Sequence, residues 1–444
     1  MGRELFGTDG IRGVAGEYPL DSKTVAAVGW ALGKWIAESG RERRVVIGMD
    51  TRESGPRLAS EIAGGLTMHG VEIDFAGVTT TPGVAYLAKT GPFSAGVMIS
   101  ASHNPFRDNG IKVLGHSGYK LPDEQEHALE AVIFDIREKI ECAPANLAID
   151  DELDRSYIDH LAATVPRGLD GLTVTVDCAN GSASHLAPDL FRRLGARVHA
   201  IGDRPDGRNI NLNCGSLHLE ALRETVLRQR SDVGVAFDGD ADRALFVSGA
   251  GRVVDGDAVM LIAATHLNAA GKLHGDVVVA TVMSNLGLER ALAARGIKML
   301  RTPVGDKYVL EEMLRIGAAL GGEQSGHVIF LEYATTGDGM LTALRIFDVL
   351  TSTGRTLDDL AGDLQVYPQK LVNVRVKERR PLDQLAPVQQ EIRAAEAAFG
   401  DSGRVLVRFS GTEPLARVMV EGADAGMVEQ WTERIAQAIR HELT

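Results

Sequence analysis

The chain has 444 residues and a formal net charge of −13, with 44% hydrophobic and 24% charged residues. At roughly 100–200 residues per domain, this length predicts about three or four domains. The acidic balance and the lack of a basic stripe exclude nucleic acid as an expected partner, so an anionic ligand would need local arginines, backbone amides or a metal ion.

The three cysteines, Cys142, Cys178 and Cys214, are far apart and form no CxxC pair. They predict reduced thiols in a cytoplasmic protein. The opening residues lack the basic-then-apolar pattern of a signal peptide, and no apolar run approaches the roughly 18–20 residues of a membrane span. We therefore expect a soluble, cytoplasmic protein without a membrane partner.

In chain order, helix-like and strand-like segments alternate. Apolar residues at helical spacing predict a helix over 21–39, followed by a buried strand at RRVVIGMD, a loop at TRESG and a second helix ending near Leu66. VEIDFAG and AGVMIS are further short β-rich runs. This alternation is typical of βαβ units around a largely parallel sheet.

The strand–loop–helix–strand pattern restarts at 171–202 and at 275–305, which indicates three related α/β domains with mixed, largely parallel sheets. After residue 366 the pattern of predicted strands and helices changes. A helix at 388–399, the strands VLVRF and ARVMVEG, and a helix near 425–442 predict a smaller C-terminal α+β domain. The predicted domains are 1–152, 153–252, 253–367 and 368–444.

Parallel sheets bind ligands at the carboxyl ends of their strands, and polar residues concentrate in the loops there. The segment AFDGDADRALFV places Asp238, Asp240 and Asp242 at alternate positions after a strand, so the three carboxylates can converge. Their repulsion would require a cation, and hard oxygen ligands suit Mg²⁺. Arg243 could pair with a carboxylate or reach a phosphate. A solvated acidic turn is the alternative.

The segment VMISASHNPFRDNGIK breaks an apolar run at Ser102. This serine could be a nucleophile, an ordinary turn residue, or a phosphorylated residue that donates its phosphoryl group and adds a ligand to Mg²⁺. His103 and Lys112 are candidate proton carriers. The segment alone leaves these interpretations open.

The segment GGEQSGHVIF places Glu323, Ser325 and His327 at alternate positions between glycines. On one side of an extended loop, a carboxylate and a hydroxyl could bind vicinal sugar hydroxyls, and the histidine could carry a proton. The alternative is a glycine-rich loop with a structural histidine.

The segment VLVRFSGTEPLARVMVEG places Arg408, Ser410, Gly411 and Thr412 between two strands. An arginine fork, two hydroxyls and the amides around the glycine could hold an anion. The GKS/T element of a nucleotide P-loop is missing, so the pattern predicts a monophosphate clamp. A simple hairpin turn is the alternative.

Five segments occur together in one order: TDGIRG (8–13), SASHNPFRDNGIK (100–112), DGDADR (238–243), GEQSGH (322–327) and RFSGTEPLARVMVEG (408–422). With them, the chain resembles the α-D-phosphohexomutase family over nearly its whole length. The resemblance implies four domains around a central cleft, carrying in turn the phosphoserine loop, the metal-binding loop, the sugar-binding loop and the phosphate-binding loop. It also implies a possible homodimer through the first domain.

The resemblance assigns roles to single residues. It implies that Ser102 is a phosphoserine bound to one Mg²⁺ per active site, with the three aspartates as the other protein ligands. The remaining matches are the catalytic-centre residues Arg12 and Arg243, the proton-transfer or supporting residues His103, Lys112 and His327, the sugar readers Glu323 and Ser325, and the clamp residues Arg408, Ser410, Gly411 and Thr412. Asp306 and Lys307 stand where some relatives have a histidine, so no role carries over to them.

The implied reaction interconverts glucosamine 6-phosphate and glucosamine 1-phosphate through a hexose 1,6-bisphosphate, which is also the activator. It would supply the synthesis of UDP-N-acetylglucosamine and of cell-wall precursors. Gln324 and the opening FGTDGIRG favour the amino-sugar branch of the family. The alternatives are the same mechanism on mannose or glucose phosphates, a phosphatase or kinase-like phosphotransferase, and a non-catalytic sugar-phosphate sensor.

Overall fold

The computed structural model describes residues 5–7, 9–410 and 414–444. Its N-terminal part is a six-stranded sheet in the order β1-β2-β6-β5-β3-β4, with β4 and β5 parallel to β3 and the other pairs antiparallel. The elements in chain order are β1 (Phe6–Gly7), β2 (Gly10–Val14), α1 (Ser22–Glu38), β3 (Arg44–Met49), α2 (Gly55–Thr67), β4 (Glu72–Val78), α3 (Thr81–Thr90), β5 (Ala95–Ile99), β6 (Asp108–Gly115) and α4 (Asp123–Ile136).

The second sheet has five strands in the order β11-β10-β9-β7-β8, and the third has four in the order β13-β12-β14-β15. The elements around the second sheet are α5 (Asp151–Ala163), β7 (Thr173–Asp177), α6 (Ala187–Arg193), β8 (Arg197–Ile201), α7 (Glu220–Gln229), β9 (Val233–Phe237), β10 (Ala244–Ser248) and β11 (Val253–Val254). Those around the third are α8 (Gly256–Ala269), β12 (Val277–Thr281), α9 (Leu286–Ala293), β13 (Lys298–Thr302), α10 (Asp306–Ile316), β14 (Leu320–Gly322), β15 (Val328–Phe330), α11 (Gly339–Thr353) and α12 (Leu357–Ala361).

All three sheets contain the same unit. A central strand (β3, β7 or β12) pairs in parallel with the next two strands of its unit, and a fourth strand (β6, β10 or β15) runs antiparallel to the third. This shared order confirms the prediction of three related α/β domains with mixed sheets. The loop between the third and fourth strands is equivalent in the three units.

The C-terminal part is a three-stranded antiparallel sheet, β16-β18-β17, packed against two helices, and it confirms the smaller α+β domain. Its elements are β16 (Gln369–Arg375), α13 (Ala386–Phe399), β17 (Gly403–Phe409), β18 (Leu415–Gly422) and α14 (Ala425–Leu443). The exact domain boundaries remain predictions. Strand β11, just past the predicted boundary at 252, pairs with the second sheet.

The first sheet buries apolar residues on both faces, whereas the second and third units share one continuous core. Phe347 of α11 packs edge-on against Phe191 and Phe246 of the second unit, with ring centroids 5.2 and 6.4 Å apart. Such aromatic contacts fix one unit against the other. Loops also join across the units, because the Gly339 amide donates to the Ala241 carbonyl and the Thr81 amide donates to the Asp240 carbonyl.

The cysteines form no disulfide, and Cys178 and Cys214 are buried. Within the described residues, no helix combines the length and the apolar composition that a membrane crossing needs.

Helices α1 and α2 pack closely, because glycines lie at their contact. A Cβ on Gly29 would overlap the carbonyl oxygen of Ile62, and a Cβ on Gly65 would overlap that of Ala26. These backbone atoms cannot move aside without separating the helices, so we expect Gly29→Ala to destabilise the first domain by about 1–3 kcal/mol. Thermal unfolding followed by circular dichroism measures this loss.

The matched control is Gly426→Ala on the exposed first turn of α14, where the nearest atom to an added Cβ is a side-chain oxygen, Asp424 Oδ1, 3.2 Å away. Its unfolding temperature should equal or exceed that of the unsubstituted protein. Equal unfolding temperatures for both variants would contradict the close-packing interpretation.

Candidate active site

Ser102 lies in the loop between β5 and β6, at the carboxyl end of a strand buried on both faces. It has a φ of 51°, in the left-handed region that a non-glycine residue rarely adopts, and its side chain is almost fully buried. Its Oγ donates a hydrogen bond to Asp238 Oδ2 at 2.5 Å and lies 3.3 Å from His103 Nδ1. The hydroxyl therefore faces the acidic loop of the second domain.

Asp238, Asp240 and Asp242 occupy the equivalent loop of the second unit, between β9 and β10. All three are buried, and one oxygen of each lies within 4.8 Å of the others. Asp240 Oδ1 and Asp242 Oδ1 are buried and accept no hydrogen bond within the described parts of the chain. Burial, and then the charges of Asp242 and Asp240, raise the pKa of Asp238 well above its ordinary value. Clustered oxygens with open acceptor capacity fit a hard divalent cation such as Mg²⁺.

Lys112, on β6, is a fully buried cation beside this cluster. Its Nζ lies 2.8 Å from Asp240, 3.6 Å from Asp242 and 3.2 Å from Asp9. Burial alone would lower the pKa of Lys112, but these carboxylates raise it above its ordinary value. Lys112 therefore stays charged and offsets part of the acidic cluster.

Two arginines flank the acidic loop. Burial opposes the charge of Arg243, but Asp242 and Asp238 raise its pKa, and its Nε lies 3.8 Å from Asp242. Arg12 pairs with Asp9 at 2.5 Å and donates to the Ala101 carbonyl next to Ser102 at 3.3 Å. Both arginines line the cavity described below.

The pKa values of the two histidines, His103 and His327, are shifted in opposite directions. Burial, followed by the charges of Arg243 and Arg12, lowers the pKa of His103 to about 4, so its ring is neutral at pH 7. Burial also disfavours the charged form of His327, but Asp242 lies 3.6 Å from its Nδ1 and raises its pKa. The Gly337 amide donates to Nε2 of His327 at 3.0 Å, which requires that nitrogen to be unprotonated. The geometry therefore favours the tautomer with a proton on Nδ1, facing Asp242.

The third equivalent loop, between β14 and β15, carries Glu323, Ser325 and His327. Glu323 accepts a hydrogen bond from the Gly305 amide at 3.1 Å, and Ser325 Oγ lies 3.4 Å from Glu323. Glu323 and His327 line a cavity of about 450 Å³. The cavity lies between the first three domains, and its lining residues are Leu5, Gly7, Asp9, Gly10, Arg12, Asp242, Arg243, Val304, Gly305, Asp306, Glu323 and His327.

This volume is within the range of about 300–1,000 Å³ typical of small-molecule sites. A larger cavity of about 640 Å³ lies between the second and third domains, beside Asp170 and Arg355. Its lining contains none of the residues described above, so we place the site in the smaller cavity on chemical grounds.

Sequence reasoning assigned no role to Asp9 and Asp306, which line the cavity, or to Lys120, which pairs with both. Lys120 Nζ lies 2.5 Å from Asp9 and 2.6 Å from Asp306, and it joins the first domain to the third. Burial alone would raise the pKa of Asp9, but Lys112, Lys120 and Arg12 hold it well below its usual range. Asp9 was inside the quoted TDGIRG segment, whereas no local pattern marks Lys120. Lys307 pairs with Asp123 outside the cavity lining.

The predicted clamp lies between β17 and β18. Arg408 is opposite Arg417 in the antiparallel register, and Arg417 Nη2 lies 3.5 Å from Ser410 Oγ. Burial and the neighbouring Arg417 lower the pKa of Arg408. Gly411 and Thr412 lie outside the described residues.

Of the predicted residues, five line the cavity: Arg12, Asp242, Arg243, Glu323 and His327. Ser102 and Lys112 contact the acidic triad behind Asp242 and are not in the lining. Arg408 and Ser410 belong to the fourth domain and are not in the lining either.

Comparison with known proteins matches the chain to four phosphoglucomutase/phosphomannomutase family models: alpha/beta/alpha domains I (3–140), II (155–251) and III (255–367), and the C-terminal domain (371–438). The phosphoglucosamine mutase of Solibacter usitatus is 60% identical over 100% of both chains. That of Koribacter versatilis is 52% identical over 99% of this chain and 97% of its own.

Solved structures show the same fold. A phosphoglucomutase/phosphomannomutase family protein from Burkholderia thailandensis has a TM-score of 0.81 at 24% identity, covering 98% of this chain and 97% of that one. Aspergillus fumigatus N-acetylphosphoglucosamine mutase, in complex with GlcNAc-6P and magnesium, has a TM-score of 0.67 at 20% identity, covering 99% and 96%. With every domain matched in order and full-length relatives at this identity, the chain belongs to the phosphoglucosamine mutase branch of the phosphoglucomutase/phosphomannomutase family.

Proposed function

We propose that this protein is a phosphoglucosamine mutase, an isomerase that interconverts glucosamine 6-phosphate and glucosamine 1-phosphate and so supplies UDP-N-acetylglucosamine and cell-wall precursor synthesis. One observation carries the proposal: the Ser102 hydroxyl donates to Asp238 at 2.5 Å, within a buried cluster of three carboxylates, and Asp242 of that cluster lines a cavity of about 450 Å³. The names of the full-length relatives support the amino sugar as substrate.

In the proposed reaction Ser102 is a phosphoserine. It gives its phosphoryl group to the free hydroxyl of glucosamine 6-phosphate, and the product is a 1,6-bisphosphate. This intermediate turns around in the cleft, and Ser102 takes back the phosphoryl group from position 6. A structural neighbour from Aspergillus fumigatus in complex with glucose 1,6-bisphosphate supports such an intermediate and activator.

The metal is proposed to be one Mg²⁺ held by Asp238, Asp240, Asp242 and an oxygen of the phosphorylated Ser102. When bound, it would offset negative charge on the transferring phosphoryl group. Arg12 and Arg243 orient that group from the cavity side. Lys112 supplies a fixed positive charge, because the surrounding carboxylates keep it protonated.

Sugar and distal phosphate are proposed to bind on the other side of the cleft. Glu323 and Ser325 would accept and donate hydrogen bonds to sugar hydroxyls. Arg408 and Ser410, with Gly411 and Thr412, would hold the phosphate that is not reacting. Arg408 and Arg417 are directly opposite each other on the paired strands β17 and β18, so both side chains lie on one face of the sheet and favour an anion beside that face. His103 and His327 are the neighbouring groups that could exchange a proton with the substrate.

Three further proposals come from the sequence and the family. They are a cytoplasmic location, a homodimer through the first domain, and the domain boundaries after residues 152, 252 and 367. A mannose or glucose phosphate substrate, handled by the same residues, is the second candidate function, since the family includes both activities in its name.

The substrate is tested with the serine-phosphorylated protein, Mg²⁺ and the matching bisphosphate. We expect kcat/KM for glucosamine 6-phosphate to exceed that for glucose and mannose 6-phosphates at least tenfold, which equals about 1.4 kcal/mol in the transition state. Equal or faster turnover of glucose or mannose phosphate would contradict the amino-sugar assignment and leave the mutase chemistry in place.

Ser102→Ala should abolish this turnover, because no hydroxyl remains to carry the phosphoryl group. The matched control is Ser94→Ala, a buried serine directly before β5 whose hydroxyl donates to the Glu42 backbone carbonyl. It should retain normal turnover. Full activity of Ser102→Ala would overturn the mechanism.

The metal ligands are tested by binding of Mn²⁺, followed by electron paramagnetic resonance. Asp240→Asn and Asp242→Asn each remove one carboxylate charge. Loss of an outer partner of a metal site costs ~10–100-fold in affinity, and we expect each of these variants to weaken Mn²⁺ binding by at least that factor. The exposed Asp189→Asn is the control. Unchanged affinity in both cluster variants would place the metal elsewhere.

A further inference from the structure

We propose that Arg52 is a positioning residue that fixes the backbone of the phosphoserine loop, so that the Ser102 side chain faces the acidic cluster. This inference rests on the proposed function, because it concerns phosphoryl transfer at Ser102. Arg52 follows β3, and the Ser102 loop follows β5, its parallel neighbour in the first sheet. The two loops therefore meet at the carboxyl edge of that sheet.

Every N–H group of the Arg52 guanidinium has an acceptor. Nε donates to Asp50 at 2.8 Å. Nη2 donates to the carbonyls of Ser102 and Asn104, both at 2.9 Å. Nη1 donates to the Asp108 carbonyl at 3.0 Å and to the Pro105 carbonyl. Four of the five donors of this one side chain thus bind the backbone of residues 102–108.

Asp50 completes the network on the amide side of Ser102. Its Oδ2 accepts from the Ser100 hydroxyl at 2.6 Å, and Ser100 Oγ accepts from the Ser102 amide at 2.9 Å. Both backbone polar groups of Ser102 are therefore held by one chain of contacts from Asp50 and Arg52. These contacts hold Ser102 in a left-handed conformation that a residue with a Cβ rarely adopts.

The burial of Arg52 and Asp50 indicates that their network positions Ser102 more than it stabilises the fold. The side chains of Arg52 and Asp50 are both 0% exposed. A buried ion pair gains little net stability, because removing both charges from water costs about as much as their attraction returns. A loop that must place the Ser102 side chain against the acidic cluster with sub-ångström precision gains directly from such rigid contacts.

A lysine could not replace this arginine. Its ammonium has three donors at one point, whereas the guanidinium spreads five over a plane that reaches four carbonyls. Asn211 of the second domain also donates to the Ser102 carbonyl, at 2.9 Å, so the loop is not released entirely when Arg52 changes. We therefore expect altered placement of Ser102 and not loss of the fold.

The test measures how fast Ser102 becomes phosphorylated after mixing with glucose 1,6-bisphosphate and Mg²⁺, by intact-protein mass at timed quenches. The variants are Arg52→Lys and Ser100→Ala. The rate constant is the readout, because it does not depend on how much of the sample is folded, whereas the final phosphorylated fraction does. We expect a rate constant roughly 10- to 100-fold lower in each variant, with an unchanged final fraction.

The controls are Arg345→Lys, a mostly buried arginine that donates to the Thr164 carbonyl, and Ser94→Ala. Both should phosphorylate at the unsubstituted rate. If Arg52→Lys does not fold, Ser100→Ala still tests the proposal, since it removes only one hydroxyl. Unchanged rate constants in the folded variants would overturn the inference and leave the proposed function standing. Absence of phosphoserine in the unsubstituted protein would instead overturn the proposed function and the inference together.

Discussion

Three buried carboxylates within 4.8 Å of one another are the constraint on which this site depends. Such a cluster is costly to bury, and the chain places two cations from different segments beside it: Lys112 from the first sheet and Arg243 from the same loop. These cations leave two buried carboxylate oxygens without a hydrogen bond in the described chain, which matches a divalent cation as the missing partner. The serine hydroxyl is held against this same cluster.

The repeated architecture explains how the groups converge. The serine, the acidic triad and the sugar-binding residues each occupy the loop between the third and fourth strands of a βαβαββ unit. The fourth strand turns back antiparallel in every unit, so each of these loops is a short connection of five to eight residues. Contacts between units then fix the loops against one another. For example, the Ala244 amide of the second unit donates to the Gly326 carbonyl of the third.

The sequence was sufficient to predict features that depend on residues close together in the chain. Alternation predicted that Asp238, Asp240 and Asp242 would converge, and strand–helix alternation predicted three related domains. It did not predict Arg52, because TRESG has the composition of an ordinary loop and its partners lie about 50 residues further along the chain. Lys120 is similar, since Asp9 and Asp306 meet it from two domains. The choice among interpretations of Ser102 also required long-range geometry or family resemblance, since a serine before His-Asn-Pro is equally typical of a turn.

The central claim is that Ser102 carries the phosphoryl group that the sugar receives. It is tested most directly in a single turnover with protein labelled on serine by ³²P and mixed with unlabelled glucosamine 6-phosphate and Mg²⁺. The account predicts that the label leaves the protein and appears in glucosamine 1,6-bisphosphate and then in the glucosamine monophosphates. Label that remains on the protein while product forms, or that appears only as inorganic phosphate, would contradict it.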